Sequence, residues 1–291
     1  MKISRHNVSV SKIDIEDELI KISDRLPKLI SKLKNNPLSI NLAVATNLQL
    51  MAAFDSIVLS LSKNEIYQHL FYTLQFGINY MKLATHADEQ VQLKIGDSIA
   101  TTVGFKTRDY IGYGNWELLF YLATVLRDEQ SIFFINTIPN SFMERSNVSF
   151  DELDFAAADI LKSLNENDAL PKAIRNYRKI EPSLKHETEL RKNFNRYLTT
   201  PMVNLIDSLE QKSSKAFNDV LEKALHSHYE FYKEKREDYG RPGDSFGWVS
   251  LKLLSVCAHA YDKGIKIEVE SDYLPYWMIT GNFKDCKLTV S

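Results

Sequence analysis

Apolar residues recur at three- and four-residue steps over most of this chain. From Ile13 to Leu33 the positions Ile15, Leu19, Ile22, Leu26, Leu29, Ile30 and Leu33 form one stripe. That spacing predicts an amphipathic helix, stopped by Pro37. Leu38 to Ser62 restarts the pattern through Leu42, Leu48, Met51, Ala52, Ile57, Val58 and Leu61. Asn64 stands where a cap opens a third helix, Glu65 to Thr85, which is apolar or aromatic on most sides (Ile66, Tyr67, Leu70, Phe71, Leu74, Phe76, Ile78, Tyr80, Met81). An element of that kind belongs inside an array of other helices.

At Val91 the period changes to two. Val91-Gln92-Leu93-Lys94-Ile95 alternates, Gly96-Asp97 follows, and Ser98 to Val103 is rich in β-branched residues, which predicts a β-hairpin. Helical spacing then returns. Asn115 caps a helix from Trp116 to about Arg127, and Ser149-Phe150-Asp151-Glu152 reads as a capping box opening a helix to Leu164. Thr200-Pro201 reads as cap and first turn of a helix through Leu209. Phe217 to Tyr239 is a long charged helix. Asp244 or Ser245 caps the next, Phe246 to Lys263, with Gly264 where a left-handed terminal glycine belongs. Ile265 to Glu270 alternates as a short strand, with Cys286 to Val290 as its candidate partner.

The fold class expected is therefore all-α, an irregular αα array of about nine helices with one or two small β-hairpins. The 10 glycines and 8 prolines among 291 residues are about half the usual share of roughly 12%, which favours long uninterrupted elements. The expected organisation is an N-terminal helical extension over residues 1–37 and one helical domain over 38–291. Leu42 to Leu61 is the most apolar stretch, but Asn47, Gln49 and Asp55 interrupt it, so it reads as a buried helix rather than a membrane span. Met1 to Glu18 mixes Arg5, His6, Asp14, Glu16 and Asp17 without an apolar segment, unlike a secretory signal, and the expected location is the cytoplasm.

Charge bears on partners. The net formal charge is −2, which gives no reason to expect nucleic acid or membrane as a partner. Its distribution is uneven: Asp128 to Asp168 carries nine acids and two bases, and Lys172 to Arg196 carries eight bases and three acids. Two solvated helix faces that complement each other would show this pattern, and so would an acidic docking surface for a basic partner.

Candidate chemistry does not assemble. Gly243-Asp244-Ser245-Phe246-Gly247 matches the G-x-S-x-G elbow, which needs a buried strand to deliver its serine. Here a charged helical segment and Pro242 precede it, and only His259 and Asp262 follow, within one helix. A loop and helix cap is the better reading. Gly112-Tyr113-Gly114 lacks the third glycine of a dinucleotide fingerprint. His226-Ser227-His228-Tyr229-Glu230 places His226 and Glu230 on one helical face, which leaves a zinc site short of ligands. Two cysteines, Cys257 and Cys286, make neither a disulfide framework nor a thiolate zinc site. No metal and no cofactor is expected. Tyr273, Tyr276 and Trp277 follow the short strand beside Glu268, Glu270 and Asp272; they suit either a protein–protein hot spot or a clamp of the strand onto the preceding helix.

The segment Phe246-Gly247-Trp248 through His259-Ala260-Tyr261-Asp262-Lys263-Gly264 to Glu270-Ser271-Asp272-Tyr273-Leu274-Pro275 resembles the immunity protein 49 family of bacterial polymorphic-toxin systems. A second likeness is Gly114-Asn115-Trp116 through Tyr121-Leu122-Ala123 to Arg127-Asp128, and a third is the helix around Leu221, Ala224, Leu225 and His228. The polar Lys252 and Ser255 and the extra helix before Pro37 depart from the family pattern. The resemblance spans about Leu38 to Trp277 and implies a mostly helical, non-enzymatic protein that neutralises a cognate toxin domain encoded by a neighbouring gene. Trp116, Trp248, Gly264, Tyr273 and Pro275 are expected to hold structure rather than toxin. For a cytosol-acting toxin such as a nuclease, with a basic cleft, the expected contact face is Asp128, Glu129, Glu144, Asp151, Glu152 and Asp154, with Glu268, Glu270 and Asp272 as a second patch. Two other readings stay open: a helical scaffold with an endogenous partner, and a metal-dependent hydrolase using His226, Glu230 and His259.

Overall fold

The computed structural model describes residues 2–36, 41–166, 168–185, 188–235 and 242–288. The described residues are mostly all-α, as the periodicity predicts, and include two small two-stranded sheets. It divides into two units, one of Met1–Ser9 with Ser149–Gly281 and one of Val10–Val148 with Asn282–Ser291. A first short strand, β1 (Lys2–Ile3), belongs to the former, and the chain then builds the latter.

In that second unit α1 (Lys12–Asn35) buries Ile15, Leu19, Ile22, Leu26, Ile30 and Leu33, and Ser11 caps it. Pro27 is accommodated within α1, and Pro37, the expected stop, lies outside the described residues. Helix α2 (Leu42–Val58) begins after Asn41, whose side chain accepts from the Ala43 and Val44 N–H groups. Helix α3 (Lys63–Thr85) is capped by Ser62 rather than Asn64, because Glu65 three residues on closes a reciprocal capping box. The expected hairpin is present. Strands β2 (Gln90–Ile95) and β3 (Ser98–Val103) pair antiparallel from Ile95↔Ser98 to Gln90↔Val103, turning on Gly96 at φ 58°. Helix α4 (Tyr113–Leu126) starts one turn earlier than Asn115, at Gly112. Its Trp116 is fully buried and donates from Nε1 to the Ile135 carbonyl at 2.9 Å. Helices α5 (Glu129–Thr137) and α6 (Asn140–Met143) follow.

The remaining elements form the first unit: α7 (Glu152–Lys162), α8 (Leu170–Ile180), α9 (Glu189–Phe194), α10 (Thr200–Asp207), α11 (Ser214–Tyr232), α12 (Leu251–Asp262), β4 (Glu270–Ser271) and α13 (Tyr276–Ile279). Thr200 is not a cap. A π-helical turn over Asn195–Thr199 joins α9 to α10, and the wide turn accommodates Pro201, which has no N–H for an ordinary helical bond. Helix α11 ends at Tyr232; residues 236–241, which include the expected Tyr239 terminus, lie outside the described residues. The expected Phe246–Lys263 helix is split into a 3₁₀ turn at Ser245–Gly247 and α12, because the Ser250 N–H is drawn to the Tyr273 carbonyl at 3.2 Å.

The strand expectation is corrected. Among the described residues, which exclude Thr289 and Val290 of the expected partner, 265–269 run along α11 with no strand beside them; the helix supplies their partners instead. Asn218 Oδ1 accepts from the Glu268 and Val269 N–H groups at 2.7 and 3.1 Å, Asn218 Nδ2 donates to the Lys266 carbonyl at 2.8 Å, and Ser214 Oγ accepts from the Lys266 N–H at 2.9 Å. Where β4 forms, it pairs parallel with β1, Lys2↔Glu270 and Ile3↔Ser271. Cys286 belongs to the other unit, where its Sγ lies 3.8 Å from the Lys63 carbonyl.

Candidate functional site

The acidic residues separate by role. Asp151 and Asp154 face inward: they make the capping box of α7, and both receive Arg191 from α9, Asp151 Oδ2 at 3.2 Å from Nε and Asp154 through the Nη2 group. The Asp154 side chain is only 4% exposed. The complementary-faces reading of the charge segregation holds for this trio. The capping box is thus Asp151 and Asp154, not Ser149 and Glu152; Asp154 stands three residues on from Asp151, where a carboxylate reaches back to the cap N–H. Asp128 caps α5 by accepting from the Ser131 N–H at 2.9 Å and borders a cavity of about 120 Å³ with Gln75, Asn79, Lys82, Lys94 and Phe134. Of the first patch this leaves three exposed carboxylates. Glu129 and Glu144 belong to one unit and Glu152 to the other.

The second patch stays together. Ile265 and Ile267 are buried and Glu268 and Glu270 exposed, so the alternation read from sequence places both carboxylates outward. Tyr276, at the start of α13, is 55% exposed. Lys266 Nζ pairs with Glu268 at 2.9 Å, and Lys2 pairs with Asp272 at 2.6 Å. The patch is therefore an exposed tyrosine beside paired charges of both signs rather than an acidic field.

Beneath it lies a network built around the two ends of this unit. Arg5 donates from Nε to the Trp248 carbonyl at 2.7 Å and from Nη2 to the Asp272 carbonyl at 2.6 Å. Burial pushes the Asp272 carboxyl up, and the bonds from Lys2 and Arg5 more than reverse this, so its pKa lies below the usual carboxylate value. His6 donates its backbone N–H to the Tyr273 hydroxyl at 2.9 Å, and that hydroxyl lies 2.9 Å from His6 Nδ1. The Pro242 carbonyl 3.4 Å from Nε2 can only accept, so Nε2 carries the proton of the neutral ring and Nδ1 accepts from the Tyr273 hydroxyl. Trp248 Nε1 donates to the same carbonyl at 3.0 Å. His228 donates from Nε2 to the Gly247 carbonyl at 3.0 Å and packs edge-on against Tyr273 at 4.7 Å. Burial lowers the His6 pKa and takes that of His228 to about 4; both rings are neutral. Gly264 terminates α12 at φ +85°, and Pro275 precedes α13 as its cap.

This network was not found from sequence. In the sequence Arg5 and His6 count only against a signal peptide, and His228 stands only in an incomplete metal pattern and in the family-like helix around Leu221. Asn218, which organises residues 265–269, is one asparagine on a helix and carried no signal.

The catalytic alternatives are not drawn together. Among the described residues no three His, Cys, Asp or Glu side chains gather to hold a metal ion. His226 is exposed and lies 4.0 Å from Glu222, while burial takes His259 to a pKa of about 4. Ser245 occupies the 3₁₀ turn, capped by Asp244, whose side chain accepts from the Phe246 N–H at 3.0 Å. Cys257 is fully buried and its thiol pKa is pushed up by that burial.

Residues 59–278 match the family described as Immunity protein 49. The chain belongs to the immunity protein 49 family. The matched span takes in the Trp116 helix, α11 and the block from Trp248 to Pro275 on which the likeness was read. It leaves out β1, Arg5 and His6, although these complete the interior of that block. No curated protein and no solved structure matches the chain. Membership implies an immunity protein that binds a cognate toxin, and no helix among the described residues is long and apolar enough to cross a membrane.

Proposed function

We propose that this chain acts in the cytoplasm, binds a toxin domain encoded by a neighbouring gene, and neutralises it by covering its active site without transforming anything itself. The observation that carries this reading is family membership over residues 59–278. The contact face we assign is Glu268, Glu270 and Tyr276 with Lys266 at its rim, because these side chains project from a block held by Arg5, His6, Tyr273 and His228 from behind. A rigid aromatic anchor among polar neighbours is what tight protein interfaces use, and full occlusion of a cleft typically buries about 1,600 Å². Glu129, Glu144 and Glu152 are secondary contributors. Asp151 and Asp154 are not, since Arg191 occupies them. The toxin chemistry favoured is nucleolytic, with a basic cleft receiving Glu268 and Glu270; the adjacent lysines make electrostatic steering modest.

The test is co-expression with the adjacent reading frame, followed by co-purification. A toxic neighbour that this chain rescues and binds supports the proposal; a harmless neighbour supports the scaffold reading instead. On a rescued pair, the combined change Glu268→Lys, Glu270→Lys and Tyr276→Ala should weaken binding at least 100-fold, while Glu129→Lys with Glu144→Lys weakens it less than 10-fold. The reverse order moves the face to the other unit.

A further inference from the structure

In the β2–β3 hairpin one strand has a buried face, and the other, with α1 against it, is only partly covered. Strand β2 alternates fully between exposed and buried residues, whereas β3 is nowhere buried, so β3 forms the rim. Its pairing parity follows from the hairpin. Ile95 and Ser98 close a two-residue turn, and further along the Gly104 N–H reaches the Glu89 carbonyl at 2.8 Å. Hydrogen-bonded pairs alternate with non-bonded ones along an antiparallel ladder. The bonded pairs are thus 95–98, 93–100, 91–102 and 89–104. Ile99, Thr101 and Val103 direct their N–H and C=O groups away from β2, and among the described residues none of these groups has a partner. The same three residues carry the exposed side chains, Ile99 at 70% and Val103 at 42%.

Natural proteins protect such edges with lysine, proline or a bulge. Ser98-Ile99-Ala100-Thr101-Thr102-Val103 contains no charge, no proline and no glycine. We propose that this edge pairs with the β3 edge of a second copy of the chain, antiparallel about a two-fold axis through Thr101. That register sets Thr101 against Thr101 and each Ile99 against the other copy's Val103. All three are bonded pairs, so every outward N–H and C=O of the edge is satisfied. The six exposed β-branched side chains, Ile99, Thr101 and Val103 of each copy, meet as three cross-strand contacts on one face, the kind of pair that stabilises sheets. The absence of charge along the strand lets two copies approach without repulsion, and the pairing is self-complementary as a two-fold interface must be. A six-residue strand is only about 20 Å long. The buried area falls short of the roughly 1,200 Å² at which stable interfaces begin. The dimer is therefore weak and concentration-dependent.

Sedimentation of the full chain over a wide concentration range tests this. The weight-average mass should rise toward twice the 33.5 kDa of one chain. Ile99→Lys with Val103→Lys, at exposed positions that leave the melting temperature unchanged, should weaken association at least 10-fold. A second readout is covalent. In a Cys286→Ser background, Thr101→Cys should form a disulfide-linked dimer in oxidised glutathione, because bonded pairs stand about 5.5 Å apart at Cα. Gln92→Cys, exposed on the adjoining strand, should not. A monomer at every concentration overturns the proposal, as does cross-linking at position 101 no faster than at position 92. If the chain stays monomeric but the lysine pair abolishes binding to the toxin, the edge belongs to the toxin and self-pairing is wrong.

Discussion

Replacing Tyr273 with Phe removes one oxygen atom at the point where the two ends of the first unit meet. That oxygen accepts the His6 N–H and donates to His6 Nδ1, both at 2.9 Å, and Tyr273 is fully buried. The phenylalanine ring keeps the packing against His228, so the change isolates the polar loss. A buried donor left without an acceptor costs about 1–3 kcal/mol, and Nδ1 loses its proton donor as well. The sum expected is about 2–3 kcal/mol. For a unit of this size each kcal/mol moves the melting temperature by roughly 2–4 °C, so its calorimetric transition should fall by about 5–10 °C. Tyr276→Phe, three residues on and exposed, should change stability by less than about 0.5 kcal/mol. If the two substitutions shift the transition equally, the hydroxyl does not hold the segment and the account of this network fails.

Other perturbations separate the remaining claims. Arg191→Met leaves Asp151 and Asp154 facing each other at the start of α7. Breaking a buried pair costs about 3–5 kcal/mol, here reduced to roughly 2 kcal/mol because Arg191 is 28% exposed and the capping N–H bonds remain; urea unfolding checks it, and a loss under 0.5 kcal/mol refutes it. Gly247→Ala brings a Cβ within 2.3 Å of the Tyr232 ring, so it should destabilise by about 1–3 kcal/mol and disturb the His6 and His228 ring contacts, seen as shifted imidazole resonances. Acidification should act on the first unit. An unfolded histidine takes up its proton near pH 6.5, and folded His228 only near 4, so the stability it contributes is whole above about pH 6.5, drains as pH falls and is gone near 4. In the second unit His69 behaves likewise. Asp55 opposes it: burial, then Glu18, raises its carboxyl to about 7, so its contribution is whole below about pH 4 and lost as pH rises toward 7. Calorimetry at pH 7.5 and 5 should show the first unit moving down more; equal movement contradicts the assignment.

Much of the architecture was legible because burial imprints a period. The α1 stripe and the β2 alternation map directly onto their covered faces, and the family likeness rests on a glycine, a proline and tryptophans with fixed packing tasks. Helix starts were less legible. Asn64 and Asn115 are good capping residues in isolation, but Ser62 has Glu65 at the reciprocal spacing and α4 opens at Gly112, so the real starts lie upstream of both. Charge counting located the acidic segment but not the direction of its side chains: Asp151 and Asp154 turn inward because Arg191, some 40 residues away, reaches them. The extended run at 265–269 looked like a strand and lacked one, because a single asparagine side chain on α11 supplies both the donor and the acceptor a neighbouring strand would have offered. Long-range contacts of that kind leave no periodic trace.

The pairing of β1 with β4 joins residues 268 positions apart in sequence, with most of the other unit, Val10–Val148, encoded between them. At roughly 5–20 residues per second on the ribosome, Lys2 to His6 emerge some 15–50 s before Tyr273 is synthesised. During that interval Val10–Val148 of the other unit is available for folding, lacking only Asn282–Ser291, while the leading segment waits without its acceptors. A nascent chain of this protein thus carries an unfinished half until translation is nearly over. A bulky fusion ahead of Lys2 should strand that half and spare the other.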